Sequence, residues 1–168
     1  MRIALTGTPG TGKSTVAQHV DDGFQIVDIN ALIKDSYNLG VDEQRSSVIA
    51  DIDRLSKHVR HMQGNVLLEG HVAHLLPVDK VIVLRTYPEL LRNRLEQRGW
   101  SERKIMENLE AEALDIILVE ALDACDAVYE IDTSGKTPEH VAESVREIIA
   151  GTDKYPPGMI DFSEAYYQ

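Results

Sequence analysis

Nine residues near the amino terminus, Gly7-Thr8-Pro9-Gly10-Thr11-Gly12-Lys13-Ser14-Thr15, constrain this chain more than any other stretch. They match G-x-x-x-x-G-K-[ST]. The apolar run Ile3-Ala4-Leu5 precedes them and Val16-Ala17-Gln18-His19-Val20 follows. The run reads as a buried strand and the segment as a helix, which is the setting this spacing needs if it is to hold phosphates. Glycines let a backbone wrap closely enough for several N–H groups to converge on an anion. A helix starting near Lys13 points its positive end and its free N–H groups at the same place. Lys13 then adds a cation at the outer phosphates, and Ser14 a hydroxyl for Mg²⁺.

The rest of the chain alternates strand and helix signals. Short apolar runs at 24–29, 66–68, 80–84 and 127–131 join the first as five strands. Most lack a polar alternation, so the pattern predicts a parallel sheet covered by helices on both faces, an α/β three-layer fold. Asp21-Asp22-Gly23 reads as a turn, and Asn30 as the cap of a short helix, Ala31 to Lys34. Residues 35–44 read as a polar loop. From Arg45 a helical stripe runs through Val48, Ile52, Leu55, Val59 and Met62. Thr86-Tyr87-Pro88-Glu89 has the form of a capping box before a helix that Gly99 ends. Ser101 opens one long helix to about Asp123, with Ile105, Leu109, Ala113, Ile116, Ile117 and Leu122 facing inward. Thr137-Pro138 opens the last helix, closed by Gly151. These elements form one domain over residues 1–151. Residues 152–168 form a tail carrying Tyr155, Phe162, Tyr166 and Tyr167, expected to pack on the domain's own surface.

Composition removes several alternatives. A chain of 168 residues with 43% hydrophobic content can bury a core, which excludes wholesale disorder. The net charge of −11 argues against broad binding to nucleic acid or an anionic membrane, and permits a basic partner. Cys125 is the only cysteine, so neither an intrachain disulfide nor a cysteine metal cluster is available. Without a signal segment or a bilayer-length apolar run, a soluble cytoplasmic protein is expected.

Glu69 and His71 follow the third strand, at the edge where parallel sheets place ligands. A carboxylate there suits a Mg²⁺ contact opposite Ser14. His71 then reaches the γ-phosphate side, able to position a water or an acceptor or to act as acid or base. His74 and the helix histidines His19, His58 and His61 read as structural. Four arginines surround the Gly99-Trp100-Ser101 corner. Arg92 and Arg103 read as surface ion pairs with nearby glutamates. Arg94 and Arg98, one turn apart, read as cations of a short lid that closes over developing charge.

With these residues in view, the chain resembles the nucleotide-kinase branch of P-loop proteins. More closely it is similar to the adenylate-kinase-like ribosome-biogenesis ATPases, the coilin-interacting nuclear ATPase type, and their archaeal relatives. LTGTPGTGKST (Leu5–Thr15), LLEGHVAHLLP (Leu67–Pro77), the run Val81–Glu112 and Asp132-Thr133-Ser134-Gly135-Lys136 carry the likeness. A Gly-His turn after the third strand, combined with R-L-x-x-R-G-[WY] and E-N-x-x-x-E, is its specific part. The resemblance implies a P-loop NTPase fold in which Gly10, Thr11, Gly12, Lys13, Ser14 and Thr15 hold ATP phosphates with Mg²⁺. It implies Glu69 in the place of a Walker-B-like aspartate, His71 as the catalytic histidine and Arg94 and Arg98 as lid arginines. Lys136 falls in the loop that lines adenine. Residues 30–53 correspond to the nucleoside monophosphate region, where Lys34 stands for an arginine contact, and residues 98–108 to the lid. The implied activity is ATP + AMP to 2 ADP with ATP hydrolysis, and the implied partner a basic small-subunit ribosomal platform protein; the alternatives are an ATP-dependent assembly factor with little kinase activity and a kinase for a small metabolite. Two departures stand out: Glu69-Gly70-His71-Val72-Ala73 replaces the Asp-Gly-[Phe/Tyr]-Pro-Arg of ordinary adenylate kinases, and a lysine lacks the planar two-pronged phosphate contact of arginine.

Overall fold

The computed structural model describes residues 1–20, 23–44 and 47–166. Five parallel strands form the main sheet: β1 (Arg2–Thr6), β2 (Gln25–Asp28), β5 (Val66–Glu69), β6 (Lys80–Arg85) and β7 (Val128–Asp132), in the order β2-β5-β1-β6-β7. Side chains alternate between two buried faces. Ala4, Val66, Leu68, Val81 and Val83 pack toward one core, with Ile29, Leu55, Val59 and Leu118. Ile3, Leu5, Leu67, Ile82 and Leu84 pack toward the other, with Val16, Val141, Val145 and Ile148. Strands apolar on both faces are what a sheet covered on both sides requires. The expected α/β sheet with helices on both faces is present.

Helix α1 (Lys13–Gln18) follows the glycine loop, and α7 (Pro138–Ala150) lies beside it. Helices α2 (Ile29–Asp35), α3 (Ile52–His61) and α6 (Ile116–Ala124) cover the opposite face. Helices α4 (Pro88–Gln97) and α5 (Glu102–Ala113) form a hairpin with its own small core of Leu91, Leu95, Ile105 and Leu109, against which Trp100 packs. Thr137 caps α7 through His140 N, and Gly99 and Gly151 end their helices with positive φ, as the sequence predicts.

Several local expectations fail, each for a visible reason. Asp28, not Asn30, caps α2: its side chain accepts from Ala31 N at 2.9 Å. Residues 35–44 are no plain loop, because β3 (Asn38–Asp42) pairs antiparallel with β4 (Ser47–Ala50), Val41 opposite Val48. Val48 therefore belongs to a strand, and Asp51 starts α3 by accepting from Arg54 N at 3.1 Å. Leu39, Val41, Val48 and Ile49 are exposed, so this hairpin lacks the half-buried alternation that reveals strands. No capping box forms at Thr86. Its hydroxyl instead meets Thr133 Oγ1 at 2.7 Å, and Tyr87 caps without a side-chain bond.

The long helix is broken into α5 and α6 at Leu114-Asp115, where Asp115 takes φ 56°. The break lets Arg85 donate to both the Glu112 carbonyl, at 2.8 Å, and the Asp115 carboxylate. Ile116 and Leu122 consequently face outward, and Leu118 and Ala121 are the buried residues of α6. The proposed turn at Asp21-Asp22, the helix start at Arg45 and the placement of Tyr167 lie outside the described residues. In the tail, Phe162 is buried, and Tyr155 packs on the α7 side, its hydroxyl donating to Glu147 at 3.0 Å. A short helix, α8 (Ser163–Tyr166), follows. No described helix is long and apolar enough to cross a membrane.

Candidate active site

Strand β1 pairs with β5 on one side and β6 on the other, so the chain leaves the sheet centre at a topological switch point. The glycine loop occupies that crevice. A Cβ at Gly7 would stand 2.4 Å from the Leu84 carbonyl oxygen, and one at Gly10 would stand 2.7 Å from Leu91. Both residues have positive φ, so only glycine lets the loop lie this close to β6 and α4. Gly12 precedes α1 in the left-handed region, and the free N–H groups of that helix open onto the loop.

Lys13 is buried, and its ammonium donates to Gly7 O at 2.8 Å and Thr8 O at 3.1 Å. Burial lowers its pKa to about 8 against the opposing pull of Glu69 and Glu112, with Arg98 adding to the depression. Ser14 Oγ donates to Glu69 Oε2 at 3.1 Å. Burial pushes the Glu69 carboxyl up, the Ser14 hydroxyl working against it.

His71 stays accessible at the cleft, with Nδ1 2.8 Å from Asn30 Oδ1. Asn30 Oδ1 can only accept, which puts the ring proton on Nδ1 and leaves Nε2 as an acceptor. The cleft walls strip enough water from the ring, with Lys13 and then His74 and Lys104 adding positive charge, to lower its pKa to about 4. His74 is only 1% exposed and joins Thr6 Oγ1 at 3.0 Å to Glu120 Oε2 at 2.9 Å, in keeping with a structural reading.

Two hollows open from the loop. One, of about 350 Å³, is lined by Gly10, Thr11, Gly12, Arg94, Thr133 and Lys136 among others. The second, of about 710 Å³, is lined by Lys13, Ser14, Lys34, Val48, His71 and Lys104 among others. Arg98 lines both, and its side chain makes no hydrogen bond or ion pair among the described residues. Arg94 differs from it, because Nη1 donates to Gly10 O at 2.9 Å and is docked on the loop. Arg92 and Arg103 are engaged by Glu102 and Glu107 at 2.9 and 3.1 Å, as expected for surface pairs. Of the candidate site residues, Arg94 and Lys136 line the first hollow, Lys13, Ser14, Lys34 and His71 the second, and Glu69 lies behind Ser14.

Sequence reasoning missed four contributors: Asn30 as the partner of His71, Lys104, the hairpin residue Val48, and Glu112, which accepts from Thr8 Oγ1. Only Glu112 had a signal, as the last residue of E-N-x-x-x-E. Ser14 and Glu69 are hard oxygen donors side by side, suited to Mg²⁺, which is commonly held by one or two protein groups plus substrate phosphates. No group of three or more His, Cys, Asp or Glu able to hold a metal occurs among the described residues.

A parallel sheet with this loop at its switch point, an anion-ready helix and a cleft on either side defines a P-loop protein of kinase architecture. The chain matches the family described as AAA domain over residues 3–115. It is 44% identical over 165 residues to "Putative adenylate kinase" of Methanothermobacter thermautotrophicus, covering 96% of both chains. It is 45% identical over 167 residues to the protein of the same name from Archaeoglobus fulgidus, covering 96% of this chain and 92% of the relative. The chain therefore belongs to this family of archaeal P-loop proteins. Shikimate kinase from Acinetobacter baumannii shares the fold with TM-score 0.66 at 18% identity, over 91% of this chain and 94% of that one. Deoxyadenosine kinase from M. mycoides does so with TM-score 0.62 at 17% identity, over 90% and 100%.

Proposed function

We propose that this protein is an adenylate kinase that transfers the γ-phosphoryl group of ATP to AMP, yielding two ADP. The observation that carries this reading is the pair of hollows meeting at Gly10, Gly12, Thr15 and Arg98. A donor and an acceptor need adjacent compartments with a shared phosphate-binding wall, and the names of the archaeal relatives agree. ATP occupies the smaller hollow, its adenine near Thr133 and Lys136, its phosphates on the loop from Gly10 to Thr15. AMP occupies the larger one, with Lys34 near its phosphate. Residues 30–53 act as the acceptor region and 98–108 as the lid.

Catalysis is chiefly positioning and charge. The loop N–H groups and Lys13 hold the β/γ phosphates. Arg94 braces the loop, and Arg98, unengaged, closes on the transferring group. Ser14 and Glu69 hold Mg²⁺, which when bound neutralises charge shared by the outer phosphates.

The second reading, ATP hydrolysis, draws on His71. An AMP phosphate has already lost its protons near neutral pH and needs no base, whereas a water nucleophile gains from one. His71, neutral and held through Nδ1, lines the hollow with a ring nitrogen left to accept a hydrogen bond from water and so position it. Hydrolysis fits the implied role as a maturation factor for the small ribosomal subunit, and the charge of −11 suits a basic platform protein as partner.

The test is to incubate the protein with Mg-ATP alone and then with AMP, CMP or UMP, resolving ADP by chromatography. AMP should raise ADP formation well above the ATP-only rate; an unchanged rate rejects the kinase reading. Retention of the basic platform protein in a pull-down with ATP is expected, and its absence with and without nucleotide rejects the assembly role.

A further inference from the structure

Glu112 stands in a buried chain of contacts that the proposed reaction does not use. Its side chain is 2% exposed. Oε2 accepts from Thr8 Oγ1 at 2.5 Å, inside the phosphate-binding loop. Oε1 accepts from Arg85 Nε and from Thr86 N, each at 2.9 Å. Arg85 also donates to Glu130 Oε1. The other Glu130 oxygen accepts three successive N–H groups of the tail, from Gly158 at 2.9 Å, Met159 at 3.1 Å and Ile160 at 3.3 Å. Phe162 closes over this cluster, its ring centroid 5.5 Å from the Arg85 guanidinium and edge-on to Tyr87 at 5.6 Å. Thr8 and the tail, at opposite ends of the sequence, are therefore the two ends of one polar chain.

Thr8 is well placed to pass a constraint on. Its hydroxyl is held by Glu112, while its carbonyl accepts Lys13 Nζ at 3.1 Å and Thr11 Oγ1 at 2.9 Å. A shift of Thr8 moves the carbonyl on which Lys13 rests. The charges give the chain a direction. One guanidinium serves Glu112, Glu130 and Asp115. The three tail N–H groups satisfy part of Glu130 and lessen its demand on Arg85. Without them, Arg85 is drawn toward Glu130, and an under-neutralised Glu112 faces a site meant for anions.

We propose that Glu112 is a positioning residue for the phosphate-binding loop, and that the carboxyl-terminal tail holds it in register by satisfying Glu130 so that Arg85 can neutralise Glu112. This rests on the reading of the loop as the ATP site.

The test measures binding of a fluorescent ATP analogue and the KM values for ATP and AMP. It compares the full-length wild type with Thr8→Val, Thr8→Ser, Phe162→Ala and Thr8→Val/Phe162→Ala, each held well below its own unfolding midpoint. Thr8→Val should weaken ATP binding about tenfold, the scale of a lost bond to a charged partner. Thr8→Ser, which keeps the hydroxyl, should restore ATP binding. Phe162→Ala should weaken ATP binding about threefold, within the range of coupling between distant sites. The double variant should bind no worse than Thr8→Val alone, because both changes act through one link. If Phe162→Ala does not fold, Glu130→Gln replaces it, since an amide cannot satisfy both Arg85 and the tail. Wild-type affinity in Thr8→Val, or strictly additive losses in the double variant, overturns the proposal while leaving the ATP site standing. Failure of the wild type to bind the analogue overturns both.

Discussion

His71 Nδ1 and Asn30 Oδ1 stand 2.8 Å apart, tying the turn after β5 to the first turn of α2. The contact puts the ring proton on Nδ1 and leaves Nε2 an acceptor on a residue that lines the larger hollow. Replacing His71 by alanine should cut the turnover of ATP hydrolysis by about a hundredfold, within the usual span for such a group, with ATP affinity mostly kept. Steady-state kinetics beside a nucleotide titration checks this, and equal loss of both would make the histidine structural. Because its pKa is lowered to about 4, the acid limb of the rate profile should show no inflection near the ordinary histidine value.

Lys13 titrates within reach of ordinary assays. Its pKa in the free protein is lowered to about 8, so the ammonium is lost as pH rises through that value. From about 8 up to the ordinary lysine range the unfolded chain binds more protons than the folded one, so this group's contribution to stability rises with pH there. Bound phosphates favour the charged form. ATP affinity should therefore fall as pH rises above 8, and binding at pH 9 should take up a proton. Calorimetry in two buffers of different ionisation enthalpy measures that uptake.

Removing the carboxylate in Glu69→Ala should leave nucleotide binding without metal nearly intact and raise the Mg²⁺ concentration for half-maximal activity by about tenfold, the low end for a group that supports a metal. Activity across a Mg²⁺ titration reads this directly. An unchanged midpoint would mean that Glu69 serves only to orient Ser14.

Arg85 is nearly fully buried between Glu112 and Glu130, with Asp115 alongside. Burial disfavours its charge, but the three carboxylates outweigh that and raise its pKa. Arg85→Met leaves carboxylates buried without their cation, so stability should drop by about 3–5 kcal/mol. Urea unfolding at neutral pH measures it.

The parts of this protein that depend on neighbours in sequence were legible in it. The loop from Gly7 to Thr15, five apolar strands, the Thr137 cap and the glycine ends of α4 and α7 follow from backbone freedom, side-chain period and local hydrogen bonds. That Glu69 would stand beside Ser14 and His71 near the loop was likewise anticipated, because a parallel sheet gathers its loops at one edge. Only the tertiary structure decided the rest. The break at Asp115 exists because Arg85, thirty residues earlier, reaches its carboxylate and the Glu112 carbonyl. The hairpin of β3 and β4 escaped the pattern because its apolar residues face outward. Glu112 meets Thr8 across a sequence separation of 104 residues. Period and propensity act over a few residues; a buried charge takes its partner from whatever the fold brings beside it.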